Sequence, residues 1–183
     1  MLDIFLDYKL PEKPILVLGK GPSLANYDKS MQGDFFVIGI NEVADYFHVD
    51  LTFVIHAEHI KDRPTVAPYY PMLGKIVGPI DTSFSHVYHF NLNTAPKFYR
   101  STPIIRTDGF TIHALLNVLG EKGVKKIRTL GVDGGFLYSP LLTDVPPRLS
   151  DTPFDRQFNE IDKLVREYDF DYAHLEKATC KQS

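Results

Sequence analysis

The sequence predicts an α/β protein built on a doubly wound, mostly parallel sheet in three α/β/α layers. Three observations carry this. Apolar runs without alternation recur early, at 14–19, 34–40 and 51–55; unbroken runs are the character of strands buried on both faces. Later strand-like runs alternate with helical periodicity, the pattern of crossover connections. Each early run stops at glycine or a polar residue, namely Gly19, Asn41 and His56. In a parallel sheet such ends share one edge, where these folds bind ligands.

At 183 residues the chain fits one domain, 1–183, with a full core. Its net charge of −3, with scattered Lys and Arg, argues against nucleic acid as a partner. No run is long enough to span a bilayer, and residues 1–10 do not read as a signal peptide. Cys180 is the single cysteine. It excludes an intrachain disulfide and a cysteine-built zinc site, and fits a cytoplasmic location. Homo-oligomerisation is left open.

In order, residues 1–13 are a short lead and 14–19 the first strand. Residues 23–31 read as a short helix or turn, 34–40 as the second strand, 42–47 as a short helix and 51–55 as the third strand. The three prolines in 57–73 suggest a loop or broken helix. Lys75–Ile80 reads as a fourth strand. Residues 81–103 are expected to be an insertion or lid, with a strand at Val87–Leu92. Thr107–Leu119 is the strongest helix of the middle, with Thr107 or Asp108 as cap and Ile112, Leu115, Leu116 and Leu119 as buried face. Gly120 and Gly123 end it. A strand at 124–130 leads into Gly131-Val132-Asp133, and 136–151 is a loop. Thr152-Pro153-Phe154-Asp155 opens the last helix, with Phe158, Ile161, Leu164 and Tyr168 as its buried stripe. Residues 169–175 are the last strand.

The chemistry centres on Gly19-Lys20-Gly21-Pro22-Ser23. A buried strand, a glycine turn and a helix entry with Ser23 as cap make an anion pocket, because free amides and the helix dipole converge there. This is read as a nucleotide-phosphate site, with Lys20 to neutralise phosphate. The dinucleotide fingerprint departs at Leu24, in the third glycine position, and at Asn41, where an acid would hold the ribose. Asn41 can pair with a ribose or base edge, or cap the helix at Glu42. His56 is the candidate general base, in the cluster His56-Ala57-Glu58-His59. Arg106 can clamp a phosphate. Asp108 can cap its helix, orient a nucleotide hydroxyl or hold magnesium, and Asp133 either ends a turn or shares that ion. His113 reads as a core residue, and His86 and His89 are reserve bases. Tyr69, Tyr70, Tyr88, Tyr99 and Tyr138 are candidates for ring stacking or core packing. The pair Asp169 and Asp171 is set aside, because it starts a strand rather than ending one.

The order Gly19-Lys20-Gly21-Pro22-Ser23-Leu24, Arg106-Thr107-Asp108-Gly109 and Gly131-Val132-Asp133 resembles a Rossmann-like group with two branches. One is the lipooligosaccharide sialyltransferases of glycosyltransferase family 42; the other is the archaeal 6-hydroxymethylpterin diphosphokinases. The resemblance spans roughly residues 14–135. It implies a nucleotide-dependent transferase. The first branch implies a CMP-sialic-acid-like donor and a small-molecule or glycan acceptor. The second implies magnesium, at Asp108 and Asp133, and a pterin-like hydroxymethyl substrate. A nucleotide- or sugar-phosphate-binding domain without catalysis is the third reading. On the transferase reading Gly19, Lys20, Gly21, Pro22, Ser23, Asn41, Arg106, Thr107, Gly109 and Asp133 bind the nucleotide, and His56 and Asp108, chosen for their positions after a strand and before a helix, are catalytic. Lys20 stands where the sialyltransferases commonly have asparagine. Thr107-Asp108-Gly109 stands for their Thr-Ser-Gly, and 136–153 lacks their catalytic histidine.

Overall fold

The computed structural model describes residues 10–53, 110–145 and 153–175 with their side chains, and the backbone of three further strands at 69–73, 86–93 and 104–106. Among the described residues eight strands occur in chain order: β1 (Ile15–Leu18), β2 (Phe36–Ile40), β3 (Leu51–Phe53), β4 (Tyr69–Leu73), β5 (His86–Asn93), β6 (Ile104–Arg106), β7 (Lys126–Leu130) and β8 (Asp171–His174). Two α-helices are described, α1 (Thr111–Glu121) and α2 (Arg156–Tyr168). Short 3-10 helices lie at Pro22–Asn26, Lys29–Gly33 and Asn41–Asp45.

The main sheet has five strands in the order β3-β2-β1-β7-β8, all parallel. It is an α/β, Rossmann-like arrangement. The chain runs outward from β1 through β2 to β3, then returns to the other side of β1 with β7. The strand order therefore reverses between β1 and β7, and a crevice opens beyond their carboxyl ends.

The apolar run of β1 has a direct structural meaning. Ile15 and Val17 pack into one core with Ile38, Ile40, Ile127 and the buried faces of α1 and α2. Leu16 and Leu18 face the opposite core, with Leu24, Val37, Val43, Val49, Leu130 and Leu142. All four β1 residues are fully buried. The two faces are covered differently. Among the described residues both α-helices lie against one core, while the 3-10 turns and the loop after β7 pack on the other.

Several sequence expectations are corrected. The helix expected from Thr107 begins at Thr111, and its cap position is Phe110, with no side-chain cap bond. Neither Thr107 nor Asp108 is that cap. Gly120 lies within α1 rather than ending it, and a Cβ there would meet the ring of Tyr168 from α2. Gly123 follows the helix at φ +74, as a C-terminal glycine should. Asp155 takes the cap position of α2 without a cap bond and accepts instead from the Gly135 amide at 3.0 Å. Ile161 and Leu164 are buried as expected, but Phe158 is exposed and Gln157 is buried in its place.

Tyr69–Leu73 is a strand despite Pro71, in a stretch expected to be loop or broken helix. It pairs in parallel with β5, which pairs with β6, so the expected insertion contributes one strand, β5, to a second, three-stranded sheet. The strand expected at Lys75–Ile80 lies outside the described residues.

Candidate functional site

Beyond β1 and β7 lies a cleft of about 330 Å³. Gly19, Lys20 and Gly21 line it from the turn after β1, and Gly131, Val132 and Asp133 from the turn after β7. Ile40 and Asn41 at the end of β2, Phe110–Ile112 at the start of α1, Tyr138, Phe154 and Gln157 complete it. Six candidate residues named from the sequence thus come together: Gly19, Lys20, Gly21, Asn41, Asp133 and Tyr138. Pro22 and Ser23 stand behind the lining.

The two turns are clasped. The Gly19 amide donates to Leu130 O and the Gly21 amide to Gly131 O, each at 2.7 Å. The Ser23 amide donates to Asp133 Oδ2 at 2.7 Å, and the Gly131 amide donates to Ser23 Oγ at 2.6 Å. Leu24 donates to Gly21 O. The expected convergence of free amides is therefore corrected. These donors hold the turn against β7, and Ser23 caps nothing in its own short helix. The glycines serve this approach. A Cβ on Gly19 would meet the Gly131 carbonyl, and one on Gly21 would meet the Asp133 side chain. Gly131 itself sits at φ +71 against the Gly19 backbone.

Asp133 is braced from a second side. Its Oδ1 lies 2.9 Å from His174 Nε2, and His174 Nδ1 lies 2.9 Å from Thr129 Oγ1. Gln157 Nε2 donates to the Asp133 carbonyl at 2.8 Å. Burial alone would raise the Asp133 pKa and is the largest single influence. The hydrogen bonds from His174 and Ser23, with the imidazole's charge, together outweigh it and hold the carboxyl below its ordinary value. A magnesium ion at Asp133 would compete with both partners. Among the described residues no group of three His, Cys, Asp or Glu side chains is placed to hold a metal.

Lys20 is not a free turn lysine. Its Nζ lies 3.0 Å from Glu42 Oε2, with both side chains mostly buried, and 4.5 Å from the centre of the Tyr138 ring. The Lys20 carbonyl also accepts the Ser139 amide at 2.6 Å, which docks the loop after β7 onto the turn. Asn41 sits in the left-handed region at φ 54, a conformation asparagine tolerates better than most residues. There it exchanges side-chain hydrogen bonds with Thr111 at 3.3–3.4 Å, tying β2 to the start of α1. It does not cap the short helix at Glu42, whose cap position is Ile40.

These contacts run round the cleft as a circuit. Its polar arc is Lys20, Glu42, Asn41 and Thr111. Its aromatic arc is Phe110, Phe154 and Tyr138, with ring centres 6.3 Å and 5.9 Å apart in succession. The α1 N-terminus opens at the join, with no side-chain cap and no acid in its first turn.

No model of a protein family matches the chain, and no curated protein matches it by sequence. Among solved structures, the MAf glycosyltransferase from Magnetospirillum magneticum AMB-1 matches with a TM-score of 0.59 at 12% identity, over 89% of this chain and 33% of that one. The chain shares its fold with part of that protein. It spans about a third of the length of that protein, and at this identity the likeness is one of fold. Among the described residues no helix is long and apolar enough to cross a membrane.

His56, Glu58, His59, Tyr99, Thr107, Asp108, Gly109 and Cys180 lie outside the described residues, as do the side chains of Tyr69, Tyr70, His86, Tyr88, His89 and Arg106. Arg106 ends β6, four residues before Phe110. His113 is a core residue, with Nε2 donating to Gln157 O at 2.9 Å. Asp171 pairs with Arg128 at 3.0 Å, at the opposite end of the strands from the cleft. Glu42, Gln157 and His174 were not singled out from the sequence. His174 had a legible signal: it closes the last strand on the ligand edge, as Asn41 closes β2.

Proposed function

We propose that the cleft binds a nucleotide sugar and that the chain is a glycosyltransferase-type transferase with a CMP-sialic-acid-like donor and a small-molecule or glycan acceptor. The observation that carries this reading is the division of the cleft into a polar and an aromatic arc at the β1–β7 reversal. A nucleotide has the same two characters. Its phosphate would meet the α1 N-terminus and Lys20, its ribose Asn41, and its base the rings of Phe110, Phe154 and Tyr138. Stacking on such rings is worth about 1–3 kcal/mol per base. Arg106, Thr107 and Gly109 would reach the donor from the connection between β6 and α1. His56, three residues beyond β3, would take the acceptor's hydroxyl proton, with Asp108 orienting the donor.

The MAf glycosyltransferase likeness supports the transferase class. Magnesium-dependent diphosphate transfer fits less well, since both carboxylate oxygens of Asp133 are already engaged. A thermal-shift panel of CMP, CDP, UDP, GDP and ATP, with and without magnesium, tests the reading. It expects stabilisation by CMP without metal. A response only to ATP with magnesium would favour the diphosphokinase reading, and silence to every nucleotide would end both.

A further inference from the structure

We propose that Glu42 is a specificity-determining residue that sets how many phosphates the cleft accepts. The inference rests on the nucleotide reading above and concerns the charge of the same site. Lys20 lines the cleft, whereas Glu42 stands behind it, 6% exposed at its side chain and 3.0 Å from the ammonium. The cation offered to a ligand is thus already offset by a carboxylate on its far side. The other described charge on the lining is Asp133, an anion whose partner is His174. The described lining therefore carries no net positive charge.

Charge balance of this kind discriminates by count. A single phosphate gains from Lys20 and from the dipole of α1, and brings fewer negative charges than a diphosphate. A second phosphate brings another negative charge next to Glu42 and Asp133, where interactions are stronger than in water. Selectivity then comes from a repulsive group built into the site. The Lys20 ammonium is also held over the Tyr138 ring, which limits how far it can move from Glu42 towards a larger anion. The sequence separates Lys20 and Glu42 by one strand and one crossover, and the pairing of β1 with β2 brings their following turns together.

The test compares CMP and CDP binding by calorimetry with EDTA present, so that no divalent ion masks the second phosphate. The wild-type chain is expected to bind CMP more tightly than CDP. Glu42→Gln should shift that preference towards CDP by about tenfold, equivalent to ~1.4 kcal/mol. Removing one partner of a buried pair can destabilise a protein, so Lys20→Gln is measured alongside. It should weaken CDP more than CMP. A wild-type preference for CDP overturns the inference. So does an unchanged CMP-to-CDP ratio in a folded Glu42→Gln variant, or equal losses in Lys20→Gln should Glu42→Gln not fold. These results would leave the nucleotide reading standing. Binding of neither nucleotide by the wild type overturns both.

Discussion

Ser23 and Asp133 hold each other's turns in place: the Ser23 amide donates to the Asp133 carboxylate at 2.7 Å, while the Ser23 hydroxyl accepts from Gly131. The bond spans the point where the strand order reverses. Replacing Asp133 with Ala removes a charge-assisted bond from a half-buried site and leaves Ser23 N–H and His174 without it. The expected loss is about 2–3 kcal/mol, read as a lower urea midpoint with an unchanged slope. A Ser23→Ala variant should lose less, because the amide bond to Asp133 survives.

The same carboxylate gives a pH signature. Its pKa is depressed in the folded protein, so its contribution is fully present above the unfolded value, about 3.9. It is lost as pH falls through the lower folded value. The stability gap between wild type and Asp133→Asn should therefore narrow as pH falls below about 4. Urea denaturation at a series of pH values checks this, and a gap that does not shrink between about pH 4 and about pH 2 would contradict it.

Much of the main sheet was legible because its strands are buried on both faces. Ile15–Leu18 and Phe36–Ile40 need no alternation to be recognised, since each face has its own core. Tyr69–Leu73 was hidden by Pro71, and Ile104–Arg106 is too short to show a period. The α2 stripe misplaced Phe158 because spacing ignores polar demand. Gln157 is inside because its side chain serves the Asp133 carbonyl and its own carbonyl serves His113. The glycine turn was located correctly and partly misread. Its position marks the cleft, but the Gly19, Gly21 and Ser23 amides are spent on Leu130, Gly131 and Asp133. The Lys20–Glu42 pair could not be seen at all, because nothing local links residues on successive strands.

Gly120 offers a test in which packing opposes propensity. In an exposed helix, glycine to alanine gains about 1 kcal/mol. Here the new methyl would enter the Tyr168 ring, held by hydrogen bonds to Asn117 and Glu121. Gly120→Ala should lower the melting temperature, and pairing it with Tyr168→Ala should cost less than the two single changes added together. A rise in the single variant would show that the helices can separate freely.

Asn41 couples a backbone conformation to the cleft. Asn41→Gly keeps access to φ 54 but loses the Thr111 contact, so folding should survive with a loss of about 1 kcal/mol or less. Asn41→Val adds a β-branched side chain in the left-handed region and should cost about 1–3 kcal/mol. Thermal denaturation of the two variants separates strain from the lost hydrogen bond.

Nucleotide binding in the cleft between the β1 and β7 turns is read out by a titration of the uniformly nitrogen-labelled chain with CMP, followed by amide chemical shifts. Saturable shifts are expected at Lys20, Asn41, Thr111, Tyr138 and Phe154, together with Gly131, with little change on the outer face of α2. Saturable binding with shifts confined elsewhere, or no shift at millimolar CMP, would contradict it.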